Sequence, residues 1–453
     1  MIKKININKT ILVLMSILMC FVFAKPAFAE DSPQSEFTYK EAKINFITKS
    51  FDGNNNLEIK LPIEFKDAKL EYIDKNLQVK TYDPKNTDIK DACLFLISDE
   101  NNYYVISKGA SYRDIKENIV QVVSCDTNII FDKQSLTLKL TLTKTADAKK
   151  DLKYSTYYVN TEEKPFKDAN DFIMIEKKFN NDKHCILEDG YYYQMSPKAR
   201  PYEAGYFFSQ GAIYVASTLM DAKDSKFSQI MCAKLIDAGE KKLNAEGYYP
   251  IPYEIEWLIN DYNISKEYFD TRWNLDYAYI CLRMYDNYKD EKYIQVADKV
   301  LDYYRKYISE NNTKIEDGIG SFAYLVMDYG SKDYKAKTLT SLNHHLMGLK
   351  TLMYEDLLKG DSANLDYINK MQRAIDLTCD GWIKKDGNLH YARLLNGTYG
   401  LADYPDLTLN DLKDCQALYE KLFKNKNASL EKLINSKQKW YDNIYLKNKN
   451  KSK

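Results

Sequence analysis

The sequence has 453 residues and balances 65 lysines and arginines against 65 aspartates and glutamates. A protein that binds nucleic acid in general needs a concentrated basic surface, so this charge balance argues against that class of function. The length exceeds the usual size of a single hydrophobic core, and we therefore expect more than one domain.

The first 29 residues have the pattern of a secretory signal peptide. Lysines precede an apolar run over residues 11–24, and Ala-Phe-Ala at residues 27–29 supplies the small residues of a cleavage site. The apolar run is short for a membrane span, which leaves an uncleaved signal anchor as the alternative. We predict a signal peptide over residues 1–29 and a secreted or cell-envelope protein with no stable membrane insertion.

Residues 30–145 have the pattern of a β-rich, sandwich-like domain. Strand-like segments there are bounded by Asn, Asp and Gly, and in the last segment the leucines from Leu136 to Leu142 alternate with polar residues. This is the period of a strand with one face toward solvent. Residues 146–204 are less regular and rich in tyrosine, and we predict that they form a connector.

A helical hairpin recurs after Gly205. Each copy combines an apolar helix, a short charged turn and a second amphipathic helix, and a further hairpin closes near Trp440. Stacked hairpins bury a shared core that no single hairpin could bury alone. The predicted fold class is therefore multidomain, with the β-rich domain followed over residues 205–453 by an all-α (α/α) toroid or solenoid of about four hairpins.

The cysteines and the known motifs give no sign of a metal or cofactor. Of the eight cysteines, Cys20 lies in the predicted signal peptide and no two of the others form a CxxC pair. There is no phosphate loop, no GxSxG and no HExxH. The adjacent His344 and His345 lack the i, i+4 spacing of a helical ligand pair. We predict no metal site and no cofactor.

Polar and aromatic side chains recur where the inner helices of the hairpins are predicted to begin. Such side chains suit hydrogen bonding to a sugar and stacking on it, while a structural role is the alternative for each of them. Carboxylates for glycosidase chemistry are also present, but the sequence does not give their separation. The helix-start residues are Tyr206, Gln210, Arg272, Asn274, Asn343, His344 and His345.

The helical half resembles the C-terminal domain of D-glucuronyl C5-epimerases, an α/α family. The resemblance rests on Tyr206 with Gln210-Gly211 at a helix start, on the hairpin Gly320 to Tyr324 followed by Asp333-Tyr334, and on Asn343-His344-His345. It implies removal of the C5 proton of a uronic acid residue in a polysaccharide and its return on the opposite face.

The same resemblance implies roles for individual residues. Tyrosines act as base and acid in that family, which assigns catalysis to Tyr324 and Tyr334. A phenol needs a cationic or hydrogen-bonding neighbour to lower its pKa, and His344 and His345 are the two candidates for that role. Substrate contacts are expected from the other helix-start residues and from Tyr253. No arginine lies between residues 305 and 373. The cation that binds the uronate carboxylate would therefore have to be Lys332, Lys335, Arg272 or Arg393.

The function predicted from the sequence is thus an exported carbohydrate-active protein, of the uronate C5-epimerase type. The alternatives are a noncatalytic glycan-binding or cell-envelope protein, a polysaccharide lyase or glycoside hydrolase, and a purely structural exported protein. The expected partner of all but the last is a polysaccharide or a cell-envelope glycan.

Overall fold

The computed structural model describes residues 35–85, 88–142, 151–316, 318, 320, 322–331 and 337–451. The predicted signal peptide and Tyr334 lie outside these residues, so both stay predictions. None of the helices in the described part of the chain combines the length and the apolar character that crossing a membrane requires.

Strands dominate the first half of the chain. They are β1 (Ser35–Tyr39), β2 (Ala42–Ser50), β3 (Asn56–Lys60), β4 (Lys69–Ile73), β5 (Val79–Thr81), β6 (Leu94–Ser98), β7 (Tyr103–Ser107), β8 (Ala110–Lys116), β9 (Ile119–Val123), β10 (Cys125–Phe131), β11 (Leu136–Leu142), β12 (Lys153–Thr161), β13 (His184–Leu187), β14 (Gly190–Gln194), β15 (Ala199–Arg200) and β16 (Tyr206–Ser209). A 3₁₀ helix (Asp88–Asp91) and the α-helix α1 (Ala169–Phe179) lie among them.

Twelve strands form one antiparallel sheet. Its order is β13-β14-β16-β9-β8-β12-β7-β6-β4-β5, and β1 pairs with β2, which pairs with β12. A second sheet, β10-β11-β3, packs on it, because the leucines of β11 share a hydrophobic cluster with Phe95 and Ile97 of β6. The alternation along β11 buries Leu136, Leu138 and Leu140 on that inner face.

Helices dominate the second half. They are α2 (Ala216–Asp221), α3 (Lys226–Glu240), α4 (Glu256–Tyr262), α5 (Thr271–Tyr288), α6 (Glu291–Glu310), α7 (Leu342–Lys359), α8 (Leu365–Trp382), α9 (Leu407–Phe423), α10 (Ala428–Trp440) and α11 (Leu446–Lys451). Short strands lie among them: β17 (Glu254–Ile255), β18 (Phe269–Asp270), β19 (Asn312–Glu316), β20 (Phe322–Val326), β21 (Tyr329–Gly330), β22 (Thr340–Ser341), β23 (His390–Arg393) and β24 (Tyr399–Ala402).

The helices pack in two rows. Helices α5, α7 and α9 form the first row, with α7 in the middle. In the second row, α6 packs against α5, α8 against α7 and α10 against α9. Every residue from Leu342 to Met353 is buried, as expected of a helix that is surrounded on all sides. The strands β18 and β22 end where α5 and α7 begin, and β18 pairs with β21 while β22 pairs with β23. Asp328 links the two helix starts, because its backbone carbonyl accepts from the N–H of Thr271 at 3.0 Å and its carboxyl group accepts from the N–H of Ser341 at 2.8 Å.

The predicted fold class is wrong in the way that it separates strands from helices. The large sheet takes β12, β13, β14 and β16 from beyond the predicted β-rich domain, and the helical half is not all-α. Strand β14 shows why the sequence does not reveal these strands, although its aromatic residues favour strands. Tyr191 and Tyr192 are consecutive, so they lie on opposite faces of the sheet, and both are buried. The polar and apolar alternation that reveals a half-exposed strand is therefore missing. The domain boundaries at residues 145 and 204 stay predictions.

Candidate active site

A cavity of about 810 Å³ opens where α5 and α7 begin. Concave sites with aromatic walls and a few polar groups are typical of small-molecule binding. The aromatic lining consists of Tyr193, Tyr214, Trp257, Tyr262, Trp273, Tyr329, Tyr391 and Tyr404. The polar lining consists of Lys198, Asp261, Asp270, Arg272, Asp276, Asn343 and His344.

His344 lines the cavity with one ring nitrogen fixed by the protein. Its Nδ1 lies 2.9 Å from the Oγ1 of Thr271, and that hydroxyl lies 3.0 Å from the backbone carbonyl of Asp328. Because the carbonyl can only accept, the single hydroxyl proton of Thr271 goes to it, and the hydroxyl oxygen accepts from Nδ1–H. The other nitrogen, Nε2, has no hydrogen-bond partner among the described residues and is left unprotonated in this tautomer.

The imidazole of His344 is electrically neutral in this environment. Burial lowers its pKa well below the ordinary value of 6.5, and the positive charge of Arg272 lowers it further. A neutral imidazole with a free Nε2 is the form of histidine that accepts a proton.

Two buried carboxyl groups flank the same imidazole. One oxygen of Asp270 and one of Asp328 each lie 3.9 Å from the Nδ1 of His344. Asp270 caps α5 by accepting from the backbone N–H of Trp273 at 3.0 Å. Asp328 accepts from the backbone N–H of Ser341 at 2.8 Å, while its buried Oδ2 has no hydrogen-bond partner among the residues that the structure describes.

The two carboxyl groups hold protons more tightly than ordinary aspartates. Burial raises the pKa of Asp270 to about 7 and that of Asp328 well above 3.8. A carboxyl group that titrates near neutral pH, next to a neutral imidazole, can both give and take a proton. The arrangement is therefore suited to general acid–base chemistry.

Arg272 belongs to a buried ion cluster rather than to open solvent. Its Nε donates to Asp276 at 3.1 Å, and its Nη1 donates to a carboxylate oxygen of Asp411 and to the backbone carbonyl of Asn343. Lys350 of α7 also donates to Asp411, at 3.1 Å. The cluster ties α5 to α7 and α9 next to the cavity.

The structure brings together three of the residues predicted from the sequence, Arg272, Asn343 and His344. His345 points elsewhere, since its Nδ1 accepts from the backbone N–H of Val326 at 3.3 Å and its Nε2 donates to the Met371 carbonyl at 3.1 Å. Both of its ring nitrogens are thus engaged in structural hydrogen bonds.

The remaining predicted binding residues do not line the cavity. Asn274 binds both backbone polar groups of Tyr249, at 2.7 and 3.1 Å. Gln210 donates to the hydroxyl of Tyr253 at 3.1 Å, and the ring of Tyr253 packs against Trp273 behind the aromatic wall. Tyr206 lies in β16, where it pairs with β9.

The predicted catalytic tyrosine Tyr324 and the predicted cation Arg393 also lie outside the cavity lining. Tyr324 is half-buried in β20, with the Nζ of Lys370 5.2 Å from its ring centre. Arg393 lies in β23, opposite Thr340 of β22.

The sequence analysis missed Asp270, Thr271 and Asp328. Asp270 had a usable signal, because an aspartate immediately before a helix is a common N-cap. Thr271 and Asp328 had none, because the structure alone shows their contact with His344.

Replacing Asp270 with asparagine is expected to remove a pH dependence of stability. The folded protein holds the Asp270 proton up to about pH 7, whereas the unfolded chain releases it near the ordinary pKa of 3.8. The resulting stabilisation is fully present below pH 3.8 and is lost as the pH rises to 7, by about 1.4 kcal/mol per pH unit.

Urea unfolding of the wild type and of Asp270→Asn across this pH range measures the effect. Asparagine can keep the N-cap hydrogen bond to Trp273, so the comparison isolates the ionisation. The difference in free energy of unfolding between the two proteins should fall from pH 4 to pH 7 and then level off. A difference that does not change with pH would show that Asp270 has an ordinary pKa.

No protein-family model matches this chain, and neither does any curated protein. Among solved structures, the chain is similar to the cellobiose 2-epimerase of Spirochaeta thermophila, with 11% identity, coverage of 59% of this chain and 66% of that chain, and a TM-score of 0.42. It is similar to a D-mannose isomerase, with 16% identity, 51% and 60% coverage, and a TM-score of 0.36.

A third similar structure is a glycoside hydrolase family 76 mannosidase of Bacteroides thetaiotaomicron, with 14% identity, 56% and 68% coverage, and a TM-score of 0.38. The chain spans less than two thirds of the length of the first two structures. Identities and TM-scores this low describe a partial likeness to a sugar epimerase, an isomerase and a glycoside hydrolase, and they assign the chain to no family.

Proposed function

We propose that this protein is a carbohydrate-active enzyme that moves a proton on its substrate, as a sugar epimerase or isomerase does. The observation that carries the proposal is the placing of a neutral His344 and a carboxyl group that titrates near pH 7, Asp270, at one aromatic-walled cavity. Aromatic faces suit the apolar face of a pyranose.

In the proposed reaction, the Nε2 of His344 removes a proton from the carbon next to the carbonyl group of the sugar. The positive charge that develops on the imidazole is stabilised by the ionised form of Asp270, whose pKa is about 7 and whose carboxylate oxygen lies 3.9 Å from Nδ1. Thr271 keeps Nδ1 protonated and Nε2 available. Return of a proton to the opposite face of the same carbon completes an epimerisation. Return of the proton to the former carbonyl carbon, with transfer of a hydroxyl proton between the two oxygens, completes an isomerisation.

A second candidate function is the hydrolysis of a glycosidic bond. It is favoured by one observation, that Asp270 and Asp276 line the same cavity. Glycosidases pair a carboxylic acid that protonates the leaving oxygen with a second carboxylate. A protonated Asp270 suits the first role, and Asp276, next to Arg272, suits the second.

The more specific predictions from the sequence stay proposals. Epimerisation of a uronate at C5 by Tyr324 and Tyr334 is not supported by the position of Tyr324, which lies in β20 outside the cavity lining. Export to the cell envelope or beyond rests on residues 1–29 alone. A polysaccharide or cell-envelope glycan remains the natural partner of an exported protein of this kind.

Proton NMR in deuterated water tests the proposed function. The mature protein is incubated with neutral, amino and uronic acid sugars, both as free sugars and as oligosaccharides. Deuterium gained at a carbon-bound position supports the epimerase or isomerase, and new reducing ends without exchange support the hydrolase. A folded protein that produces neither change across the panel would contradict an enzymatic function and favour glycan binding.

A further inference from the structure

We propose that the cavity accepts a neutral or amino sugar and rejects a uronic acid, an inference that rests on the proposed function because it takes a sugar to be the substrate. The charge of the ligand decides the selection, because the charged groups of the cavity already bind other groups of the protein.

Arg272 is the only arginine in the described cavity lining, and most of its N–H groups already donate to other groups of the protein. A guanidinium has five N–H groups. In Arg272, one goes to Asp276, one to the Asn343 carbonyl, and one from each of Nη1 and Nη2 to the carboxylate of Asp411. Its side chain is only 11% exposed. Arg272 therefore has no second N–H with which to bind a substrate carboxylate in a two-point contact, unless a buried ion pair is broken.

The remaining charges of the described lining are mainly acidic. Asp261, Asp270 and Asp276 line the cavity, and Lys198, which is exposed, is the only cation there besides Arg272. His344 is neutral. Asp270 is only partly ionised at neutral pH, so Asp261 and Asp276 supply most of the negative charge in the lining, while the charge of Arg272 is already paired with Asp276 and Asp411.

A carboxylate on the sugar is unfavourable in such a place. It would leave water, find only the solvent-exposed Lys198 as an unpaired cation among the described lining residues, and lie near the aspartates of the lining. Solvent screens the attraction of an exposed cation. A hydroxymethyl group meets no such repulsion, and an ammonium group is attracted. The charge arrangement therefore selects against the uronic acids.

Three free sugars that differ only in the group at carbon 6 test this selection, because a free sugar can open to the carbonyl form on which the proposed reaction acts. The groups are a hydroxymethyl, an aminomethyl and a carboxylate, each prepared in the gluco, manno and galacto series. Isothermal titration with the mature protein gives the dissociation constants at low and at high salt. We expect the uronic acid to bind at least about tenfold more weakly than the neutral sugar at low salt, and this difference in dissociation constant to narrow at high salt.

Asp261→Asn is the control for the electrostatic origin of the selection. It removes one acidic charge at the exposed edge of the cavity, and it should reduce the discrimination against the uronic acid about two- to threefold. A uronic acid that binds as tightly as the neutral sugar, or more tightly, would overturn this inference and leave the proposed function standing. Failure of every free sugar in all three series to bind would overturn both.

Discussion

Replacing His344 with asparagine is expected to lower kcat about 10²- to 10⁴-fold while the protein stays folded. Asparagine retains an N–H near the position of Nδ1, which can still reach Thr271, but it removes the basic Nε2. Loss of a general base has an effect of this size. The rate of solvent deuterium exchange into the sugar measures kcat, and circular dichroism measures the folded fraction.

The neighbouring His345 supplies a matched control. His345→Asn removes a buried N–H that the Met371 carbonyl accepts, so it should lower the free energy of unfolding by about 1–3 kcal/mol. The kcat of the molecules that remain folded should be unchanged, since His345 does not line the cavity. If both histidine variants lost activity to the same extent at equal folded fraction, His344 would have no special role.

Replacing Asp411 with asparagine is expected to lower the free energy of unfolding by about 3–5 kcal/mol. Asp411 accepts from both Arg272 and Lys350, and its side chain is only 4% exposed. Removing one partner of a buried ion pair leaves uncompensated charge in a medium of low polarity. Urea unfolding at neutral pH measures the loss.

Asp414, one turn further along α9, provides the comparison. It also binds Lys350, at 3.2 Å, but its side chain is 53% exposed to solvent. Solvent screens such a pair, and Asp414→Asn should therefore cost no more than about 1 kcal/mol. Equal losses for the two variants would show that the cluster is not a buried network.

The helices of the second half are the part of the fold that the sequence predicts best. The stripe from Leu275 to Tyr285 repeats every three or four residues, and Asp290 caps the helix that follows. The extent of the large sheet was not predictable in this way. Strands such as β14 are buried on both faces and rich in tyrosine, so they show no alternation that separates them from a connector.

The residues of the candidate site also differ in whether the sequence reveals them. Arg272, Asn343 and His344 can be found in the sequence because they are polar residues at helix starts. Asp328 cannot be found in this way, because strand pairing between distant segments brings it to His344. Strand β18 pairs with β21, which places Asp270 opposite Tyr329, and Asp328 is the residue before Tyr329. Contacts between distant segments leave no periodic pattern in the sequence.

The most direct test of the active-site assignment compares solvent deuterium exchange by three proteins, the wild type, His344→Asn and Tyr324→Phe, on the sugar that the NMR panel identifies. We predict exchange by the wild type and by Tyr324→Phe at similar rates, and almost none by His344→Asn. Exchange that survives in His344→Asn but is lost in Tyr324→Phe would place the chemistry at the β19–β20 hairpin and contradict the assignment.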